Sequence, residues 1–236
     1  MSYPVTAAET GAPAAGVGDT SPATRWAPLT GIAVVVFFLA GVAASSPPGD
    51  GASAASWVAS YTGGGNKFSH EASGVLLVLT ALSLMCFLAV VWSRIGRLRP
   101  GGDHSMMPLL AAGVSAACIA VGGALMGSGS TVTASFAGAS APAAATLARF
   151  CNDAGFVMVG LPGMLAAALS VAGLSVQAYR AGLFGRRMQV FGIVVAVILI
   201  GSLEFLPVLA LLLWLVVTSV VLIRRGPASG YQPAGR

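Results

Sequence analysis

The residues of this sequence that could carry chemistry are few, and they lie beside the ends of long apolar segments. Carboxylates close to an imidazole or a guanidinium could bind a cation, a lipid headgroup or a small polar solute. An imidazole next to a carboxylate could also act as acid and base on a lipid if both groups reached the substrate. The candidate ligand-binding residues are His70, Glu71, Arg149, Asn152, Asp153 and Glu204.

The same residues also fit a structural role. Arg149 and Asp153 are four residues apart, so on a helix they share a face and could pair with each other. Asp153 suits the N-terminal end of a helix, where the dipole favours negative charge. Glu204 could reach water if it lies in a turn between two helices. Sequence alone leaves the ligand site and the structural role both open.

The sequence contains no recognisable metal, haem or catalytic motif. The two histidines, His70 and His104, are predicted on opposite sides of a membrane, so they cannot share one metal ion or haem. The cysteines Cys86, Cys118 and Cys151 lack CxxC spacing, which argues against a zinc site. P-loop, HExxH and nucleophile-elbow patterns do not occur. We therefore expect no cofactor, no metal and no catalytic residue.

The composition is that of a membrane protein. Of 236 residues, 56% are hydrophobic and 8% are charged, whereas about a quarter of a soluble chain is charged. The net charge of +5 comes from short basic clusters between apolar runs. Such clusters are typical of membrane topology, so we expect the lipid bilayer as a partner and no nucleic acid.

Apolar runs predict six transmembrane helices, because a bilayer core of about 30 Å needs about 20 apolar residues. The last run, Val190 to Ile223, has 34 residues and would be about 51 Å long as one helix. Glu204 and Pro207 near its middle predict a turn that divides it into a pair of short helices. The predicted spans are 28–44, 72–92, 106–128, 154–177, 189–203 and 206–223.

The basic residues predict the orientation of these spans. Lys67 and Arg149 fall on one side of the membrane, and all other bases fall on the side of both termini. The prediction is an all-α, polytopic plasma-membrane protein of three helical hairpins, with a transmembrane domain over 26–225 and both termini cytoplasmic. The segments 1–25 and 226–236 are predicted cytoplasmic tails, the first of them disordered.

Two long outer connections follow from this topology. In residues 46–70, Trp57, Val58 and Tyr61 share a helical face, which predicts a short helix at the membrane interface. Gly63-Gly64-Gly65 is predicted to end that helix. Residues 129–145 consist almost wholly of Ser, Ala, Gly and Thr and are predicted to form an uncharged loop.

Small residues predict where helices pack most closely. Gly123 and Gly127 form a GxxxG pair, which lets another backbone approach. Gly160 and Pro162 should kink or locally unwind the fourth span, because proline removes a backbone donor. Interrupted helices line binding sites in many transporters, but no polar side chain lies beside this pair, so we interpret it as structural.

Three segments stand out together: Ser45-Ser46-Pro47-Pro48-Gly49-Asp50, Asn152-Asp153-Ala154-Gly155-Phe156, and the closing hairpin from Phe205-Leu206-Pro207 to Arg224-Arg225. In this combination they resemble small six-helix integral membrane proteins of actinobacteria. The resemblance extends from Trp26 to Arg225 and implies the topology and the host membrane, but no activity.

For function, we expect a non-enzymatic accessory or scaffold subunit of a membrane assembly. Its partner would be another membrane protein or a second copy of the chain, docked through the small-residue faces. The alternative is a small transporter or a lipid- or solute-binding protein that uses an outward-facing polar vestibule built from the candidate residues.

Overall fold

The computed structural model describes residues 26–49, 51–99, 105–136, 140–201 and 206–225, and within these ranges the chain is almost entirely helical, with no strand. The predicted tails, His104 and Glu204 lie outside the described residues. A 3₁₀ turn over Ala27–Leu29 precedes the first α-helix. The helices are α1 (Thr30–Ala44), α2 (Ala54–Thr62), α3 (Gly64–Leu98), α4 (Met107–Phe136), α5 (Ala141–Met158), α6 (Met164–Arg180), α7 (Arg186–Ile200) and α8 (Leu206–Arg224).

Five apolar helical segments are long enough to cross a membrane, and they indicate a multi-pass membrane protein. They are Ala27–Ala44, Gly64–Leu98, Met107–Phe136, Ala141–Arg180 and Pro207–Arg224. The predicted span 189–203 corresponds to α7, which has 15 residues and is followed by a turn at Gly201. Since 15 residues of helix extend about 22 Å, α7 as described is shorter than a bilayer core. The count of six therefore stays a prediction.

Three helices are longer than a bilayer needs. The 35 residues of α3 and the 30 of α4 extend about 50 and about 45 Å, and α5 continues through a short turn into α6. Their excess residues lie at one end of the molecule, where Ser130 of α4 bonds to Glu71 of α3. We define the platform as α2 together with residues 64–71 of α3, 129–136 of α4 and 141–153 of α5.

The glycine run ends α2 as predicted, because the helix stops at Thr62 with Gly63 as its C-cap. Two points differ from the sequence predictions. Gly64 and Gly65 are already helical, so only Gly63 separates α2 from α3. The predicted loop 129–145 is helical over 129–136 and 141–145, with Pro142 in the first turn of α5, where proline is tolerated. Alanine favours a helix whereas serine, threonine and glycine disfavour it, so the propensities of such a mixed run partly cancel and packing against neighbouring helices decides its conformation.

Glycines bring α4 against two neighbouring helices below the platform. A Cβ atom on Gly74 of α3 would lie 2.8 Å from the oxygen of Gly123 and 2.8 Å from the Cα of Gly127. The predicted GxxxG pair therefore faces α3. On another side of α4, a Cβ atom on Gly122 would lie 2.7 Å from the oxygen of Gly155 in α5. These contacts leave no room for side chains between the backbones.

The distortion predicted at Gly160 and Pro162 takes the form of a π-helical turn over Val159–Gly163. Proline cannot donate to the carbonyl four residues earlier, and its ring would collide with that carbonyl in a regular α-helix. The wider turn accommodates Pro162 while α5 and α6 continue as one long segment.

Candidate functional site

Helix α2 supplies the aromatic centre of the platform. The side chain of Ser53 caps this helix by accepting a hydrogen bond of 3.2 Å from the backbone N–H of Ser56. One turn apart, the rings of Trp57 and Tyr61 are nearly parallel, with centroids 6.0 Å apart, and both are buried. Their face forms one apolar cluster with Ala145 and Ala148 of α5. The helix predicted here is present, and its aromatic face is covered by protein.

His70 extends this aromatic row from α3. Its imidazole stacks on the ring of Tyr61, with centroids 4.1 Å apart and planes inclined by 9°. The Nε2 atom lies 3.3 Å from Oγ of Ser60, and the side chain is only 4% exposed. A Cβ atom on Gly129 would come within 2.8 Å of the Tyr61 ring, so α4 can lie beside the ring only because that position is glycine. His70 is thus packed between helices rather than open to a solute.

The environment of Tyr61 strongly favours its neutral form. Burial raises the pKa of the Tyr61 phenol from 10.0 to about 12, and negative charge on Cys151 and Asp153 adds to the shift. At neutral pH the hydroxyl is therefore protonated and available as a hydrogen-bond donor.

Arg149 of α5 fastens the chain around α2 to the rest of the platform. Its Nη2 donates a hydrogen bond of 2.6 Å to the carbonyl oxygen of Ala52, just before α2 begins. The guanidinium carbon lies 5.3 Å from the centroid of the Trp57 ring, within the range of a cation–π contact. The structure thus directs this side chain toward α2, and not into the pairing with Asp153 that its spacing had allowed.

Glu71 joins α3 to α4 at the edge of the platform. Its Oε1 accepts a hydrogen bond of 3.1 Å from Oγ of Ser130 and lies 3.8 Å from Nζ of Lys67, one turn earlier. The Lys67 and Glu71 side chains are 44% and 43% exposed. Water therefore screens this ion pair, and the buried Ser130 hydroxyl gives the carboxylate its fixed position.

Asn152 and Asp153 mark the junction between the platform and the apolar part of α5. Asn152 is buried, and its Nδ2 donates a hydrogen bond of 3.2 Å to Oδ1 of the exposed Asp153. The structure therefore places five candidate residues on the platform, two from α3 and three from α5. The sixth, Glu204, lies outside the described residues.

Sequence reasoning missed the partners of these candidates. His70 contacts Ser60, Glu71 accepts from Ser130, and Arg149 donates to the carbonyl of Ala52. The four-residue spacing of Trp57 and Tyr61 indicated a helix, but nothing in the spacing indicated which helix would cover it. Within the described ranges, no group of three or more His, Cys, Asp or Glu side chains is arranged to hold a metal ion.

Comparison with known proteins found no match among family models, curated proteins or solved structures. The resemblance to six-helix actinobacterial membrane proteins therefore stays a prediction, and the site must be interpreted from its own geometry.

Proposed function

We propose that this chain is a non-enzymatic accessory or scaffold subunit of a membrane assembly, and that the platform is the surface it offers outside the bilayer. The observation that carries the proposal is the use of the polar side chains. His70, Glu71 and Arg149 contact other parts of the platform rather than converging on a shared opening. They stabilise one arrangement of four helical segments, which is what a docking surface requires.

Burial in the platform supports the same proposal. The platform has a small core of its own, formed by Trp57, Tyr61, Ala145 and Ala148. This core is separate from the large apolar core of the bundle, which is the part of the helices outside the platform. A preformed surface spares a partner the entropic cost of ordering loops when it binds.

The first experiment is purification of the tagged protein from its native membrane in nanodiscs, followed by mass spectrometry of co-purifying proteins and lipids. We expect a protein partner in stoichiometric amount. The variant Arg149→Ala should reduce partner recovery at least about tenfold, because a loss of about 1.4 kcal/mol has that effect. Arg97→Ala, an exposed arginine at the other end of α3, is the matched control and should recover the partner normally. Recovery of the wild-type protein without a partner would overturn the proposal.

A second candidate function is lipid or solute binding at the junction of platform and bundle. Asp153 favours it, because this carboxylate is exposed at the base of the platform and acts electrostatically on the Tyr61 hydroxyl. The ligand would carry positive charge, as a cationic lipid headgroup does. This second candidate would replace the first proposal if one lipid or solute were enriched with the wild-type protein, were lost in Asp153→Asn, and no protein partner were recovered.

We also propose six spans, a plasma-membrane location and cytoplasmic termini. The placement of charge supports this proposal. Lys67 and Arg149 lie on the platform, whereas other bases lie at the C-terminal ends of α3, α6 and α8, namely Arg97, Arg180 and Arg224. An even number of spans puts both termini on one side. Fluorescent proteins fused to either terminus should therefore both fluoresce, because both termini are proposed to be cytoplasmic. Five spans would be indicated if the C-terminal fluorescent fusion did not fluoresce and an alkaline phosphatase fused at that terminus were active.

A further inference from the structure

Arginines gather at the end of the bundle opposite the platform, around the turn that joins α6 to α7. Arg180 is the last residue of α6, and α7 begins with Arg186 and Arg187. Just beyond the end of α8, Nη1 of Arg225 donates a hydrogen bond of 3.1 Å to the carbonyl oxygen of Gly182 in the turn. Three helices thus bring bases to one place, and all four arginines are exposed.

Backbone hydrogen bonds and burial fix the conformation of this turn. The backbone N–H groups of Leu183 and Phe184 both donate to the carbonyl oxygen of Ala178, at 2.8 and 3.1 Å. The side chains of Leu183 and Phe184 are buried in the core of the bundle. Gly182 has a φ of 75°, which residues with a side chain rarely adopt, and it ends α6 in this conformation. The exposed arginines on both sides of the turn are therefore held at fixed positions of the backbone.

Within the ranges that the structure describes, no carboxylate balances the charge at this end of the bundle. The acids in those ranges are Glu71 and Asp153, and both belong to the platform. The first turn of α7 contains no acid and begins with Arg186 and Arg187. Because the helix dipole disfavours cations at that position, an anion supplied from outside the chain would be bound favourably.

The depth of these residues in the membrane indicates a lipid phosphate as that anion. Helix α8 has 19 residues, carries no charge before Arg224 and extends about 28 Å, close to the thickness of a bilayer core. At the same end of α3, Nη1 of Arg94 donates a hydrogen bond of 2.8 Å to the carbonyl oxygen of Leu222. The bases at this end therefore lie at the level of the lipid headgroups, and guanidinium groups pair well with phosphate oxygens.

We propose that the turn between α6 and α7 binds the headgroup of an anionic phospholipid, with its phosphate held by Arg180, Arg186 and Arg187. Arg225 holds the turn in place from α8 and adds positive charge beside it. Each arginine close to an anionic membrane surface contributes about fivefold to affinity. This inference is independent of the proposed function of the platform, and Asp153 of the second candidate function lies at the other end of the molecule.

The first test is a titration of the purified protein in a neutral detergent with phosphatidylglycerol or phosphatidylcholine, in which native mass spectrometry counts the bound lipids. We expect the wild-type protein to prefer phosphatidylglycerol. Arg186→Gln and Arg187→Gln should each weaken that binding about fivefold. Arg97→Gln removes one exposed arginine from the same end of α3 and is the matched control, with an expected change of less than about twofold. Equal binding of the two lipids, or equal losses in Arg97→Gln and Arg187→Gln, would overturn the proposal.

Thermal unfolding in nanodiscs separates lipid binding from an effect on the fold. In pure phosphatidylcholine, Arg186→Gln should unfold at the wild-type temperature or slightly above it, because it removes a cation from the start of a helix. Phosphatidylglycerol should raise the midpoint of the wild type more than that of the variant, since a ligand stabilises the state that binds it. A variant destabilised equally in both lipids would mean that Arg186 serves the fold alone. If sodium phosphate reproduced the gain in phosphatidylcholine nanodiscs, the site would bind a soluble anion, and the proposal would be wrong.

Discussion

The platform and the bundle below it are held together by different kinds of contact. In the platform, Trp57, Tyr61 and His70 stack in a row, and Arg149 bonds across to a carbonyl 97 residues earlier in the chain. In the bundle, α3 and α4 meet through glycine backbones at Gly74. The first kind depends on particular side chains, and the second depends on their absence.

The proposed position of the platform outside the bilayer and of the bundle within it accounts for the difference. Within lipid, apolar side chains gain little by leaving the hydrocarbon, so helices associate through close backbone packing. Outside the hydrocarbon, burial of aromatic rings away from water is favourable, and charged hydrogen bonds fix their orientation. The two regions should therefore respond oppositely to substitutions that add or remove side-chain atoms.

The largest expected effect is in the bundle, at Gly74→Ala. The new Cβ atom would meet backbone atoms of Gly123 and Gly127, which cannot move aside as a flexible side chain would. Overpacking of this kind should lower the free energy of unfolding by about 2–3 kcal/mol, measured by denaturant titration in detergent.

Gly113→Ala on α4 is the matched control for this prediction. No atom lies within 4 Å of its added Cβ, so the higher helix propensity of alanine should leave stability unchanged or raise it slightly. If both variants behaved alike, close backbone contact would not be what holds α3 and α4 together.

The next effect belongs to the platform, at Arg149→Ala. This change removes a charged hydrogen bond and a cation–π contact, together about 2 kcal/mol. Hydrogen–deuterium exchange should rise in residues 52–62, while amides around Gly74 and Gly123 remain protected. Arg97→Ala should change neither segment, and equal loosening of platform and bundle in Arg149→Ala would show that they do not behave as separate regions.

Sequence reasoning succeeded best in the bundle. Apolar segments long enough to cross lipid can be counted along the chain, so the predicted span 72–92 lies inside α3. The predicted span 106–128 begins one residue before α4 and otherwise lies inside it. The GxxxG pair could be predicted because its four-residue spacing is local to one helix. Its partner Gly74 could not be predicted, because a local spacing does not identify the helix that will lie opposite.

The platform was harder to predict, since its contacts join distant parts of the chain. Periodicity relates a residue to its neighbours three or four positions away, and for Arg149 that neighbour is Asp153. The structure instead pairs Arg149 with Ala52 and Trp57. Likewise, the helical extent of residues 129–136 depends on packing, which sequence composition does not contain.

A pH titration tests the aromatic centre of the platform. The folded-state pKa of Tyr61, about 12, lies above the unfolded value near 10.0, so the folded protein holds this proton more tightly. The resulting stabilisation is complete below pH of about 10 and is lost as pH rises through about 12. The tyrosinate absorbance of the wild type minus that of Tyr61→Phe should show one group that ionises about 2 pH units above the usual tyrosine pKa of 10.0. An ionisation near pH 10 that disappeared in Tyr61→Phe would instead mean that water reaches the core of the platform.

The smallest effect is expected for Glu71→Gln. The ion pair with Lys67 is 3.8 Å long and its side chains are more than two-fifths exposed, so its loss should cost at most about 0.5 kcal/mol. A glutamine oxygen can still accept the hydrogen bond from Ser130, which keeps α3 joined to α4. Exchange in residues 52–62 should therefore match the wild type at both low and high salt. If Glu71→Gln loosened α2 as much as Arg149→Ala does, surface charge and not the buried aromatic row would hold the platform. Arg149 would then be the one side-chain contact left to distinguish the platform from the glycine contacts of the bundle.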